Sequence, residues 1–385
     1  MELELGVGKK ARRAYGFDEI AIVPSRRTRD LADVDISWSV GGHERALPLL
    51  ASAMDSVVSP ASAITLGHLG GLGVLNLEGI FSRYEDADAQ LGRIRTAPAD
   101  EVTGIMQEIY RQPIDTGLMA ARIREIREAG APVAASLTPQ RVEQYAPIAI
   151  EAGLDLLVIQ GTVVSAEHIS TAGHVLNLKE FIREQPVPVI VGGCASYNTA
   201  LHLMRTGAAG ILVVVGPGAA CTTRGVIGVG VPQATAIADV AGARDQHMRE
   251  TGTYVRVIAD GGMRTGGDIA KAIACGADAV MVGSPLARAE EAPGGGYHWG
   301  MATFHPTLPR GTRVHVGTVA SLAEIVNGPA IENDGTRNLM GALATALSTC
   351  GYADLTDFQR AEVVLAPSIT SEGKLHQMAQ KVGMH

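Results

Sequence analysis

Eight short apolar runs, separated by longer polar and amphipathic stretches, dominate the hydrophobic pattern of this chain. Each run is nearly continuous rather than alternating, and most are rich in Val, Ile or Leu. Such runs are typical of parallel strands that are buried on both faces of a sheet. We therefore predict eight strands, covering residues 47–53, 72–76, 131–136, 154–160, 187–193, 210–216, 255–262 and 278–284.

A similar sequence motif precedes and enters three of these strands: EAGLDLLVI, RTGAAGILVV and ACGADAVMV. Each motif predicts the end of a helix, a glycine that caps this helix, and then the next strand. Eight such strand–helix units predict an α/β fold, a (β/α)8 TIM barrel, with the chemistry in the loops that follow the strands. A doubly wound open sheet is the alternative, but eight regular units without a strong boundary favour closure.

The pattern predicts one catalytic barrel over residues 1–385, with three appendages outside its repeat. These are an N-terminal extension over 1–45, an irregular segment over 285–320 and a C-terminal tail over 360–385. Residues 77–130 are mostly polar, and we predict that they are helical. An irregular stretch as long as the second appendage usually carries function.

The composition narrows the function classes. With 46% apolar residues, 46 Gly, five Phe and two Trp, the chain predicts an aliphatic core and many turns. A net charge of −8, without a long Lys/Arg run, argues against nucleic acid as a partner. No apolar run approaches the ~20 residues that span a bilayer, and four scattered cysteines indicate free thiols in the cytoplasm. No CxxC or HExxH motif indicates zinc.

Two glycine-bearing strand ends predict a phosphate site. ADGGMRTGGDI (259–269) and VGSPLAR (282–288) follow the seventh and eighth predicted strands, where such barrels usually bind phosphate. Glycines let backbone N–H groups approach an anion closely, and the Ser284 hydroxyl can donate a hydrogen bond. Asp260 could accept hydrogen bonds from a ribose diol, or it could merely cap the next helix.

The loop after the sixth strand, VVGPGAACTTRG (214–225), contains a lone cysteine among glycines and threonines. Cys221 is either a small buried hydrophobic residue or a nucleophile. Thr223 is close enough in sequence to contact a water or proton near the sulfur, and Arg224 adds a positive charge. The residues alone leave both readings of Cys221 open.

Seven stretches taken together show that the chain resembles the IMP dehydrogenase/GMP reductase family over nearly its full length. They are FDEIAIVP (17–24), SAMDSV (52–57), GPGAACTTR (216–224), ADGGMR (259–264), VMVGSPLA (280–287), EEAPGG (290–295) and WGMAT (299–303). The resemblance implies that the Cys221 thiolate attacks C2 of inosine monophosphate (IMP) and that a hydride passes to NAD. Hydrolysis of the covalent thioimidate then gives xanthosine monophosphate (XMP), in guanine nucleotide biosynthesis.

The resemblance also implies roles for the surrounding residues. Thr223 would handle the catalytic proton or water, Asp260 would hold the ribose, and Gln160 with Gly161 would meet the cofactor. The backbone carbonyls of a monovalent cation site, typically for potassium, would belong to Gly216, Gly218 and Cys221. The remaining substrate contacts would be Ser52 and Met54 beside the nucleotide, Gly262, Gly283 and Ser284 at the phosphate, and Gly300 and Met301 at the purine. A homotetramer is also expected from the family.

The chain departs from the dehydrogenases in four respects. It has no room for the inserted pair of CBS modules, and residues 302–312 are too short for the mobile flap with its water-activating Arg-Tyr pair. Without that pair, activation of the hydrolytic water would need Thr223 with Arg310, or a histidine such as His298 or His305. The alternative for both histidines is that they are ordinary surface residues with no catalytic role. Arg310 also occupies the position at which the dehydrogenases usually have a Glu or Gln that recognises the purine. In addition, Ala219 occupies a position that is usually a serine. Gln160 replaces the aspartate that grips the nicotinamide ribose.

Three other functions remain as alternatives at this stage. GMP reductase shares the cysteine, the threonine and the phosphate loops, and it releases ammonia from GMP with NADPH. A catalytically weak purine-nucleotide-binding paralogue is consistent with the four departures. A flavin-binding barrel could use the same phosphate loops, but the Cys-Thr-Thr sequence disfavours it.

Overall fold

A computed structural model describes residues 2–169, 175–300, 305, 307–366, 377 and 379–380. Its centre is a closed barrel of parallel strands, in which consecutive strands are neighbours and the last pairs with the first. The strands are β1 (Leu49–Ala51), β2 (Leu72–Asn76), β3 (Ala134–Leu137), β4 (Leu156–Gln160), β5 (Val189–Cys194), β6 (Gly210–Val213), β7 (Arg256–Asp260) and β8 (Ala279–Val282). The predicted (β/α)8 TIM barrel is confirmed.

Helices follow the strands around the outside of the barrel. Their starts carry the expected caps: Ser59 accepts the backbone N–H of Ser62, and Thr265 accepts that of Asp268. The helices are Pro60–His68, Ala87–Thr96, Val102–Ile109, Thr116–Glu128, Val142–Glu151, Leu178–Glu184, Tyr197–Met204, Thr223–Ile227, Gln233–Thr251, Gly266–Ala274, Ser284–Ala287, Leu322–Asn327, Leu339–Cys350 and Leu355–Phe358, with 3-10 turns at Phe17–Glu19, Leu31–Asp33 and Ile80–Ser82.

The segments outside the barrel repeat form short antiparallel sheets. Their pairs are Glu2–Gly6 with Lys9–Arg12, Ile20–Ile22 with Val363–Leu365, Trp38–Val40 with His43–Arg45, and Tyr297–Trp299 with Arg313–His315. The third appendage thus begins with a strand that pairs with the first. The second appendage folds back on itself as a hairpin, which places Gly300, His305, Arg310 and Gly311 beside the barrel mouth.

The barrel interior is filled with aliphatic side chains, as the strand pattern predicts. Leu49, Val74, Leu157, Ile190 and Ile258 are fully buried. Among the helices that the structure describes, none combines the length and apolar character needed to cross a membrane. The packed interior leaves the loops at the carboxyl ends of the strands as the place for a site.

Candidate functional site

A cavity of about 580 Å³ opens at the carboxyl ends of the barrel strands, a volume suited to a small-molecule ligand. Nearly all the site residues predicted from the sequence line it. They are Ser52, Met54, Gln160, Gly161, Gly216, Gly218, Cys221, Thr223, Asp260, Gly262, Gly283, Ser284, Gly300 and Arg310. Met301 lies outside the described residues. The fold therefore collects into one cavity residues that are as much as 258 positions apart, from Ser52 to Arg310.

The cysteine loop is held against the second appendage by backbone hydrogen bonds. Cys221 and Gly311 form an antiparallel bridge, in which Thr222 N donates to Arg310 O at 2.9 Å and Thr312 N donates to Ala220 O at 3.1 Å. Because these bonds lie on both sides of Cys221, the position of the sulfur depends on the 310–312 segment. No pattern in the sequence indicated this connection.

Cys221 faces the cavity and is only partly buried, which excludes the alternative that it is a core residue. Its thiol donates to Thr223 Oγ1 at 3.1 Å, and Thr223 itself is buried. The Arg224 guanidinium donates to the carbonyls of Val215 and Val231, so it ties the two ends of the loop together. This hydrogen bond orients the sulfur at the cavity wall and places a hydroxyl next to the thiol proton.

The carbonyls predicted to bind a cation differ in the hydrogen bonds that they already accept. Gly218 O accepts from Cys221 N at 3.1 Å, whereas the carbonyls of Gly216 and Cys221 accept none from the part of the chain that the structure describes. Gly216 has φ +79°, and a side chain there would meet Arg224 Cγ at 2.6 Å, so glycine is required. Two unpaired carbonyls in one loop are chemically suited to a monovalent cation.

The phosphate loops pack directly against the cysteine loop. Gly262 has φ +82°, and a β-carbon added there would lie 2.9 Å from Pro217 Cβ. Glycine is therefore needed both for the backbone conformation and for the close approach of the two loops. Thr265, not Asp260, caps the helix that follows β7. This finding removes the capping alternative for Asp260.

Asp260 is buried at the end of β7, and its partner is another predicted site residue. Gln160 Nε2 donates to Asp260 Oδ2 at 2.9 Å. Burial raises the pKa of Asp260 to about 7, while the hydrogen bond from Gln160 acts in the opposite direction. Because the carboxylate is largely removed from water, further hydrogen-bond donors from a ligand would be favourable.

The two histidines have different environments, and surface placement is wrong for one of them. His298 is buried in the cavity wall, within 3.3 Å of Ser56 Oγ through Nδ1, and burial lowers its pKa to about 4. His305 is exposed and lines the cavity, and its Nδ1 accepts the backbone N–H of Leu308 at 2.8 Å. Because Nδ1 already accepts this hydrogen bond, it is not available as a base in this arrangement.

A buried polar network beneath the cavity was missed by sequence reasoning. Tyr110 Oη donates to Asp55 Oδ2 at 2.6 Å, Trp299 Nε1 donates to Tyr110 Oη at 3.2 Å, and Ile80 N also donates to Asp55 at 2.9 Å. Burial raises the pKa of Asp55 to about 6. The network fixes Trp299, the residue before Gly300. Its one sequence signal was the acid within the SAMDSV stretch, to which no role was given.

Comparison with known protein families shows which family has this set of site residues. Residues 14–305 match the model of the IMP dehydrogenase/GMP reductase domain, which is more than half of the chain. The chain belongs to this family. It is an oxidoreductase of the IMP dehydrogenase/GMP reductase type, and the resemblance inferred from the seven stretches is confirmed.

Similar proteins match this chain over most of its length. An uncharacterized oxidoreductase of Mycobacterium leprae is 46% identical over 374 residues, covering 94% of this chain and 100% of that protein. The inosine-5'-monophosphate dehydrogenase of Methanocaldococcus jannaschii is 27% identical, with 96% of both chains covered. A crystal structure of an IMP dehydrogenase/GMP reductase-like protein from Corynebacterium glutamicum superposes with a TM-score of 0.90 at 46% identity, covering 94% and 97% of the two chains.

Proposed function

We propose that this protein is an NAD-dependent IMP dehydrogenase that oxidises IMP to XMP through a covalent intermediate on Cys221. The observation that carries the proposal is the single cavity in which the Cys221–Thr223 pair, the buried Asp260 and two glycine-bearing strand ends converge. These supply a nucleophile, a ribose acceptor and a phosphate site, which together match a purine ribonucleoside monophosphate.

The reaction begins with attack of the Cys221 sulfur on C2 of the purine. Thr223 Oγ1, which lies 3.1 Å from the sulfur, relays the thiol proton to water in the cavity as the C–S bond forms, and the C2 hydrogen departs as hydride. A nicotinamide dinucleotide, when bound, supplies the hydride acceptor. Water then attacks C2 of the thioimidate, the C–S bond breaks, and XMP leaves with the thiol restored. The overall balance is IMP, NAD⁺ and water to XMP, NADH and a proton.

The water step is assigned to Thr223 with Arg310. Thr223 is hydrogen-bonded to the sulfur, and Arg310 lines the same cavity, where its fixed positive charge would stabilise a developing hydroxide. Nδ1 of His305 is occupied by the backbone N–H of Leu308, and the low pKa of His298 makes it a weak base. Thr223 is therefore the proton-handling group that we place next to the sulfur.

The bound groups that the proposal needs fit the residues present. The Gly216 and Cys221 carbonyls are available to potassium, and Gly161 at the end of β4 lines the cavity beside the cysteine loop, where the dinucleotide would bind. A cation at the loop would hold its backbone in the conformation that directs the sulfur toward the base.

The test follows the absorbance of reduced nicotinamide at 340 nm. We expect purified protein with IMP, NAD and potassium to form NADH and XMP. We expect the Cys221→Ala variant to retain IMP binding and to lose turnover by a factor of at least about 10⁴. Isolation of a covalent Cys221–purine adduct by mass spectrometry would give independent support.

Two results would overturn the proposal. Consumption of NADPH with GMP and release of ammonia, without oxidation of IMP, would make the protein a GMP reductase using the same cysteine. Tight IMP binding with no turnover in either direction would make it a nucleotide-binding paralogue.

A further inference from the structure

The hydrogen bond between Gln160 and Asp260 spans the mouth of the barrel. Gln160 ends β4 and Asp260 ends β7, and these strands are separated by β5 and β6 in the sheet. The amide Nε2 nevertheless reaches Asp260 Oδ2 at 2.9 Å. Both residues line the cavity. The pair therefore forms a polar bridge in the floor of the cavity.

The bridge has more acceptors than donors. Within the described residues, Gln160 Oε1 is buried without a hydrogen-bond partner, and Gln160 is the one side chain that donates to the Asp260 carboxylate. Buried acceptors are normally paired, and each unpaired one carries a desolvation cost. Asp260 is only 5% exposed and lines the cavity, so a ligand bound there would displace the water that reaches its remaining lone pairs. The arrangement is complete only when a ligand brings donors.

Resting on the proposed function, we propose that Gln160 serves the nucleotide rather than the dinucleotide: it positions Asp260, and the two side chains together accept the two hydroxyls of one ribose. The amide N–H fixes Asp260 Oδ2, which leaves Asp260 Oδ1 and Gln160 Oε1 for the cis-diol. Two hydroxyl donors match these two acceptors. Removal of either hydroxyl leaves a buried acceptor unpaired, so the pair discriminates ribose from deoxyribose.

The proposal explains the departure at position 160. An aspartate there would bring a second carboxylate toward Asp260, and two like charges in a buried site repel. A neutral amide bonds to the carboxylate as a donor and still offers an acceptor of its own. Gln160 thus contacts Asp260 without adding a second charge to the site.

The test measures equilibrium binding of IMP, 2'-deoxy-IMP and 3'-deoxy-IMP without dinucleotide, by calorimetry. We expect the protein to bind IMP at least about tenfold more tightly than either analogue. The Gln160→Met variant, of similar shape but without polar atoms, should bind IMP about tenfold more weakly and prefer it over the analogues by less than about threefold. In an Asp260→Ala background, Gln160→Met should cause little further loss.

Two further variants keep the test decisive. Gln160→Glu preserves the shape and should weaken IMP binding at least about tenfold at pH 8, because it places a carboxylate against Asp260. Gln140→Met, at an exposed cavity-lining glutamine that forms no hydrogen bond with Asp260, should leave the preference for ribose unchanged.

Unchanged ribose preference in Gln160→Met, or a rise in the KM for NAD with normal IMP binding, would overturn the inference. Because binding is measured without turnover, a protein that binds IMP but does not oxidise it would refute only the proposed function. Failure to bind any purine ribonucleoside monophosphate would refute both.

Discussion

Two buried aspartates at opposite ends of the barrel show how differently this molecule treats a buried charge. Asp260 ends β7, at the mouth of the cavity, and Asp278 directly precedes β8, at the opposite rim. Their exposed fractions are similar, 5% and 3%. Burial alone therefore does not separate the functional acid from the structural one.

Asp278 is surrounded by donors. It accepts from Tyr254 Oη at 2.8 Å and from Val257 N at 2.8 Å, and it forms ion pairs with Arg256 Nη1 at 3.2 Å and Arg244 Nη1 at 3.4 Å. Both guanidinium groups also lie over the Tyr254 ring. This acid is fully compensated by the protein and has no need of a ligand.

Asp260 is compensated by one neutral amide, and burial raises its pKa to about 7. The carboxylate of Asp278, at the structural rim, has a full set of hydrogen-bond donors and ion-pair partners. The carboxylate of Asp260, at the proposed binding site, does not. The number of donors, not the depth of burial, distinguishes the two roles.

The variant with the largest expected effect is Asp278→Ala, which should lower the free energy of unfolding of the protein. Asp278→Ala removes the buried carboxylate that pairs with both Arg244 and Arg256, and we expect a loss of about 3–5 kcal/mol in the free energy of unfolding, measured by chemical denaturation. Asp245→Ala is the matched control: Asp245 also pairs with Arg244, but its own side chain is exposed, so its removal should cost less than about 1 kcal/mol. Equal effects of the two variants would contradict the contrast.

At the cavity, Asp260→Asn should have the opposite signature. We expect IMP binding to weaken by about tenfold to a hundredfold, because the ribose loses charge-assisted hydrogen bonds. Stability should stay the same or rise, since the variant removes a poorly compensated buried charge. Calorimetric binding and denaturation of the same sample measure both. A large loss of stability would mean that Asp260 is as structural as Asp278.

The smallest effect is a pH dependence of nucleotide binding. With the Asp260 pKa near 7, the protonated fraction grows as the pH falls from 8 to 6, so the dissociation constant for IMP should rise by up to about tenfold. His298, with its pKa near 4, stays neutral over this range. The nucleotide phosphate also titrates near pH 6. Asp260→Asn is the control for that contribution, and an identical pH profile in the variant would contradict the assignment.

The fold was largely predictable because the signal is local. A barrel strand needs only a short apolar run buried on both faces, and each of the eight runs contains its observed strand or overlaps most of it. Closure followed from the number and regularity of the units. The appendages were less predictable: the pairing of Ile20–Ile22 with Val363–Leu365 joins segments that share no local pattern.

The residues of the cavity were predictable as a set, but their mutual contacts were not. Sequence reasoning treated Gln160 and Asp260 as belonging to different ligands, because positions a hundred residues apart reveal no hydrogen bond. For His298 the sequence left a catalytic role and surface placement both open, since its neighbours in the chain do not show what covers it. Asp55 lacked a role because its partners Tyr110 and Trp299 come from distant segments.

The bridge between Cys221 and Gly311 couples the reactive loop to a hairpin ninety positions further along the chain. Any insertion or deletion between Leu308 and Arg310 would pull on the backbone beside the sulfur while leaving the eight strands untouched. A change in the length of this hairpin would therefore alter the reaction rate of Cys221 without a change in the barrel. An engineer who grafts a longer segment here should keep Gly311 and Thr312 as the fixed anchor points.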